Sequence, residues 1–364
     1  FHNRNRLKTT FKEIPSLNLF NSNDELWKRI RTIVSPTFTS GKMKQMFPLI
    51  KDCIKHCLNN FESHVINRKE VNLKDVYGCL TMDVIAKCAF ATNINANRDK
   101  NNPFVVNAAN IFKTDWQLIL KLFIIPTFVL DFFKISLFNE QANEFFFDVA
   151  RHIIRKRRDK NEKQNDFLQL LMDCHKEDNP DTGSDESDIK SDEKALSEDE
   201  IIAQVWIFFL AGYETTASTL SYCSYELAIN QSVQDKLYNE IKSAVKDDEI
   251  DYELLSKLPY LDAVISETLR KYPPLTKLER LVCQDNYHLG DTGIVLDKGD
   301  LVEIPAYAIH HSQQYFHEPE LFKPERFLPE NRDLIKPYTY LPFGSGPRNC
   351  VGMRFGLLEA KLAL

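Results

Sequence analysis

A chain of 364 residues, 43% hydrophobic and 27% charged, is long enough for one large or two ordinary globular domains, and its composition excludes a disordered or fibrous protein. The net charge of −6 is uneven: residues 177–200 hold eleven acids against two lysines, a local −9, so the rest carries +3 and lacks the broad basic face that nucleic-acid binding needs. Eight irregularly spaced cysteines predict reduced thiols, not a secreted disulfide framework; twenty-five phenylalanines against eleven glycines suit a helix-rich interior, whether it encloses a large planar apolar group or only packs a core.

The chain begins at Phe1, with no secretory or transmembrane segment before it, and ends at Leu364 inside a helix-forming run. It reads as an internal fragment, truncated at both ends, of a longer protein. Residues 1–20 predict irregular structure with one short helix. A firm helix starts at Asn23-Asp24, a good capping pair, with Leu26, Trp27, Ile30, Ile33 and Val34 on one face. Trp27 and Arg31 stand four apart and point to one side, where an indole N–H and a guanidinium make either a donor set for a carboxylate or ordinary packing. Residues 43–100 predict two or three helices without chemistry; Cys53 and Cys57, with His56 and His64, lack the second close pair that a metal cluster needs. The most apolar stretch, Trp116 to Phe133, is interrupted by Lys121, Pro126 and Asp131 and is no membrane span, which leaves a buried helix pair or a surface that dips into a bilayer. Residues 140–174 predict one helix with a basic patch of Arg151, Arg155, Lys156, Arg157 and Arg158, and 176–194 an acidic mobile loop.

Ser197-Glu198-Asp199-Glu200 is a capping box, from which a helix runs to about Asn230, roughly 50 Å at 1.5 Å per residue. Its middle reads Ala211-Gly212-Tyr213-Glu214-Thr215-Thr216, where a glycine and two β-branched hydroxyl residues predict a bend with room for a small ligand. Glu267 and Arg270 share a helix face, and Arg326 follows in Pro324-Glu325-Arg326-Phe327. Residues 275–310 predict strands, with turns at Gly290-Asp291 and Lys298-Gly299-Asp300. His310, His311 and His317 have no metal-ligand spacing and read as structural. Near the end, Phe343-Gly344-Ser345-Gly346-Pro347-Arg348-Asn349-Cys350-Val351-Gly352 delivers one cysteine to a helix start. Its glycines permit tight backbone that aims N–H groups at the sulfur, and a helix N-terminus lowers a thiol pKa. The loop lacks a Walker Gly-Lys-Ser/Thr, an arginine at phosphatase spacing and a nearby second cysteine. A metal-bound thiolate and a buried structural cysteine remain.

The ten-residue string resembles the haem-binding signature of the cytochrome P-450 superfamily, Phe-x-x-Gly-x-Arg-x-Cys-x-Gly, in every fixed position. Trp27-x-x-x-Arg31, Ala211 to Thr216, Glu267-x-x-Arg270 with Arg326, and Leu278-Glu279-Arg280 resemble that family's other motifs in the same order, most closely those of animal microsomal family-three members. The resemblance implies one domain over 1–364, mainly α with a small β portion, in which a long central helix crosses over a haem held by the C-terminal cysteine loop. It implies a monooxygenase that inserts one oxygen atom from O2 into an apolar substrate, a xenobiotic, steroid or lipid. Cys350 becomes the axial ligand of haem b; Trp27, Arg31, Arg280 and Arg348 hold the propionates; Phe343, Gly344 and Gly352 shape the sulfur's surroundings. Ala211 and Gly212 keep the distal wall low, Thr215 and Glu214 deliver protons, and Leu210, Ala211, Leu275 and Thr276 line the substrate site. Glu267, Arg270 and Arg326 form a structural cluster. The implied partners are an NADPH-dependent flavin reductase, through which NADPH acts indirectly, a cytochrome b-type donor, and the endoplasmic reticulum membrane on its cytoplasmic face, through an N-terminal anchor outside this chain. Alternatives that keep haem are an isomerase or dehydratase of lipid peroxides and a non-catalytic haem-binding protein.

Overall fold

A computed structural model describes residues 3–4, 13–94, 96, 102–112, 139–174, 195–245 and 250–364. The acidic 176–194 segment and all but the ends of the apolar 111–139 stretch lie outside the described residues. In chain order the helices used below are α1 (Asp24–Val34), α2 (Ser40–Ile66), α3 (Leu73–Phe90), α4 (Pro103–Phe112), α5 (Glu140–Lys160), α6 (Phe167–Met172), α7 (Glu198–Ile229), α8 (Gln231–Ala244), α9 (Pro259–Lys271), α10 (Ala306–His310) and α11 (Met353–Ala363). The strands are β1 (Leu278–Leu281), β2 (Tyr287–His288), β3 (Val295–Leu296) and β4 (Leu301–Ile304), so the fold is mainly α. The chain forms two compact units, one of 3–37 with 82–211 and one of 38–81 with 212–364.

In the first unit, α1 buries Trp27, Ile30, Ile33 and Val34, the stripe its 3.6-residue period requires. Asn23 stands at its N-cap, but its side chain accepts from the Arg4 N–H at 3.1 Å and does not cap the helix. The capping box at the start of α7 is reciprocal: Glu200 N donates to Ser197 Oγ at 3.2 Å and Ser197 N to Glu200 Oε2 at 2.9 Å. Aromatic rings fill the interior here, with Phe146 and Phe209 4.3 Å apart between centroids. Where one helix is expected over 140–174 there are two, because Asn161 closes α5 in the left-handed region at φ 50° and Asp166 opens α6, accepting from Gln169 N at 2.8 Å. The same Asp166 takes Arg157 out of the expected basic patch: the two form a buried ion pair, and Arg157 also donates to Phe90 O at 3.2 Å.

The second unit packs α2 against α11 and α9 against the turn Pro324–Phe327. Glu240 of α8 caps α9, its two carboxylate oxygens accepting from Tyr260 N at 2.8 Å and Leu261 N at 2.9 Å. The expected strands are present: β1 pairs antiparallel with β4 in the register Leu278 to Ile304 and Arg280 to Val302, and β2 pairs with β3. The turn at Gly299 lies at φ +98°, which a side chain disfavours. α7 runs unbroken across 32 residues, without an interruption at Gly212. Its hydroxyls do bond backward, Thr219 Oγ1 to Thr215 O at 2.8 Å and Ser221 Oγ to Ala217 O at 2.7 Å. Among the described residues, no helix is long and apolar enough to cross a membrane.

Candidate haem-thiolate site

In the second unit Leu278 of β1, Ala306 and Leu341, in the chain entering the cysteine loop, form a small apolar core, and a Cβ at Gly344 would lie 3.9 Å from the Leu278 methyls. Gly344 and Gly346 take φ of +69° and +75°, so the chain doubles back tightly enough for Cys350 N to donate to Phe343 O at 2.8 Å. Gly344 N donates to Leu341 O and Asn349 N to Gly346 O, each at 3.1 Å. These three bonds tie the turn together. The turn leaves Cys350 exposed, three residues before α11. Gly352 is the N-cap of that helix, and the ring edge of Phe38 lies 3.7 Å from where its Cβ would be.

Arg280 on β1 is brought to this loop. Its guanidinium is buried, donates to Glu279 O at 2.8 Å and to Ser345 O at 3.2 Å, and pairs with no carboxylate among the described residues. Burial alone lowers its pKa. A buried cation that meets only carbonyl oxygens is costly unless an anion joins it, so this arginine suits a carboxylate-bearing ligand. Arg348, in the loop, is buried as well. An exposed thiol at a helix start, on a loop that also bonds a buried arginine paired with no acid among the described residues, fits a haem with its iron at the sulfur and a propionate at the arginine.

The middle of α7 has a distinct environment. Ala211 is exposed and Gly212, Tyr213, Glu214 and Thr215 are half-buried, whereas Ile201 to Val205 before them and Thr216, Ala217 and Leu220 after them are buried. Small and hydroxyl-bearing residues therefore form an accessible window between two buried stretches of the helix. Glu214 turns toward α3: Lys74 Nζ lies 2.5 Å from Glu214 Oε1 and 2.6 Å from Ser218 Oγ. Sequence reasoning missed Lys74, because 140 residues separate it from Glu214 and nothing local marks it. α3 approaches α7 closely here, a Cβ at Gly78 lying 3.3 Å from the Tyr213 hydroxyl oxygen. Burial pushes the Tyr213 phenol up to about 12. Of the expected substrate-lining residues, Ala211, Leu275 and Thr276 are exposed and Leu210 is buried at 8%. In the first unit, Trp27 is buried and Arg31 half-buried on α1.

Behind the loop, Glu267 and Arg270 are both fully buried and joined by two bonds, 2.8 Å from Nε and 2.9 Å from Nη2. Arg326 Nε adds a longer contact at 3.4 Å, and Lys323 N donates to Glu267 Oε1 at 2.9 Å. The carboxylate thus faces two guanidinium groups and a backbone N–H.

The Cytochrome P450 family profile matches residues 1–364. The chain is 41% identical over 351 residues to cytochrome P450 3A12 of Canis lupus familiaris, with 94% of this chain and 67% of the relative covered. It is 42% identical over 349 residues to cytochrome P450 3A13 of Mus musculus, covering 94% and 67%, and 40% identical over 349 residues to cytochrome P450 3A18 of Rattus norvegicus, covering 94% and 68%.

Proposed function

Because the chain belongs to the cytochrome P450 family and is a haem-dependent monooxygenase, we propose that Cys350 is the axial ligand of a haem b and that the enzyme oxygenates an apolar small molecule, a xenobiotic, steroid or lipid. The observation that carries this reading is the exposed Cys350 on a doubled-back loop, with the guanidinium of Arg280, which pairs with no acid among the described residues, bonded to the same loop. The group supplies oxygen activation when bound, aided by electron donation from a thiolate.

The chain's own residues set the conditions. Cys350 lies ahead of an 11-residue helix whose N-terminal dipole favours the thiolate over the thiol. The Cys350 N–H and Phe343 carbonyl lock the loop, so the sulfur keeps one direction. Arg280 and Arg348 bind the propionates. Ala211 and Gly212 leave room for substrate beside Thr215, whose hydroxyl orients water, and Leu275 and Thr276 contribute to the lining. Glu214 carries protons from solvent; its bond to Lys74 directs its carboxylate toward α3. Electrons come from a separate NADPH-dependent flavin reductase, with a cytochrome b-type donor as an auxiliary, at the cytoplasmic face of the endoplasmic reticulum.

The carbon-monoxide difference spectrum of the reduced full-length protein tests the ligand. The expected result is a strongly red-shifted Soret band that Cys350→Ala abolishes. A wild-type protein that binds haem without that band overturns the assignment. Turnover of a lipid peroxide without any reductase would instead identify an isomerase or dehydratase.

A further inference from the structure

His310 ends α10, is fully buried, and takes no part in the chemistry above. Its ring stacks 5.7 Å from Tyr340 and meets Phe316 edge-on at 6.3 Å, so it cannot swing away without opening the core. Both ring nitrogens are bonded to backbone. Leu341 N lies 2.8 Å from Nε2, and Arg270 O lies 3.1 Å from Nδ1. An amide N–H only donates, so Nε2 is the acceptor; Nδ1 then carries the proton and donates to the Arg270 carbonyl. The partners thus fix one neutral tautomer. Arg270 returns a bond, Nη1 to His310 O at 2.9 Å.

These bonds continue to the sulfur. Leu341, held by Nε2, accepts through its own carbonyl from Gly344 N at 3.1 Å, and Phe343, two residues on from Leu341, accepts from Cys350 N at 2.8 Å. At the other end, Arg270 is fixed in α9 by Glu267, and Tyr340 OH donates to Ser266 O at 3.0 Å. We propose that His310 is a positioning residue of the thiolate: as the Nδ1–H imidazole it holds the chain entering the cysteine loop at a set distance from the end of α9, and so fixes where the sulfur points. The proposal rests on Cys350 being the iron ligand. It assigns separate roles to the two ring nitrogens, Nδ1 anchoring the ring to α9 and Nε2 anchoring the loop to the ring.

Two substitutions separate those roles. In H310Q the side-chain oxygen reaches about as far as Nε2 and accepts from Leu341 N; in H310N the shorter amide reaches Arg270 O but not Leu341. In the haem-loaded full-length protein, reduced under carbon monoxide, H310N is expected to lose the red-shifted band at least about tenfold faster than wild type, whereas H310Q holds it near the wild-type rate. Amide hydrogen exchange supplies a readout independent of haem: Leu341 N–H is protected in wild type and in H310Q, and exchanges rapidly in folded H310N. Equal decay of the band in H310N and wild type overturns the proposal, as does decay in H310Q as fast as in H310N. If H310N does not fold, rapid exchange of the Leu341 amide in folded wild type overturns it. A wild-type protein with no red-shifted band removes the premise as well, a failure distinguishable from that of the strut.

Discussion

Glu267 and Glu359 belong to the same unit and are both completely buried, yet they differ in every other respect. Glu267 on α9 has Arg270, Arg326 and the Lys323 N–H around its carboxylate. Glu359 on α11 has neither oxygen hydrogen-bonded among the described residues, and burial holds its carboxyl well above the usual range. Depth alone therefore does not set the charge of an acid in this protein. Where partners converge, the acid is a charged joint that positions backbone; where they do not, it is carried as a neutral acid at a cost to stability.

Breaking the first acid gives the largest effect. Glu267→Gln leaves Arg270 buried without its anion and is expected to cost about 3–5 kcal/mol, read by urea denaturation. A shift in stability of similar size comes from pH. Burial lowers the His310 imidazole to about 4, against an ordinary value near 6.5. Between those values the unfolded chain holds a proton that the folded chain does not, so this contribution is complete above pH 6.5 and is lost as pH falls toward 4. The loss amounts to about 3 kcal/mol, and H310Q flattens the denaturation profile over that window. The charges of Arg270 and His311 press the ring's pKa further down, and its bond to the Arg270 carbonyl opposes them.

Sharpening the contrast from the other side, Glu359→Met replaces an unbonded acid with an apolar chain of similar length. It is expected to raise stability at neutral pH by about 1–3 kcal/mol, seen as a higher denaturation midpoint. The smallest change in stability is expected at an acid that stays wet. Lys74→Met unpairs a half-exposed Glu214, which should alter the folding free energy by no more than about 1 kcal/mol while changing turnover and its solvent deuterium isotope effect. Unchanged turnover would exclude Lys74 from the proton route.

The parts legible in the sequence are those whose signal is local. The capping box at Ser197, the stripe on α1 and the glycines around Cys350 each record a short-range backbone requirement, and each element forms where that requirement places it. What escaped reading depends on partners distant along the chain. Arg157 looked like one of a basic run until Asp166 and the Phe90 carbonyl took it into the interior. Lys74 gains its meaning only from Glu214, and His310 only from Leu341 and Arg270. The break in α5 was missed because asparagine signals a left-handed stop less plainly than glycine does.

The unbonded acid on α11 also alters the proton inventory of folding. Above the pH at which an unfolded glutamate ionises, burying Glu359 favours uptake of a proton from the medium, because burial raises its carboxyl. At mildly acidic pH that uptake is offset by the proton His310 releases as its ring becomes neutral. Replacing Glu359 by Met should therefore shift the proton exchange measured on refolding in a weakly buffered solution toward release, and H310Q should shift it toward uptake.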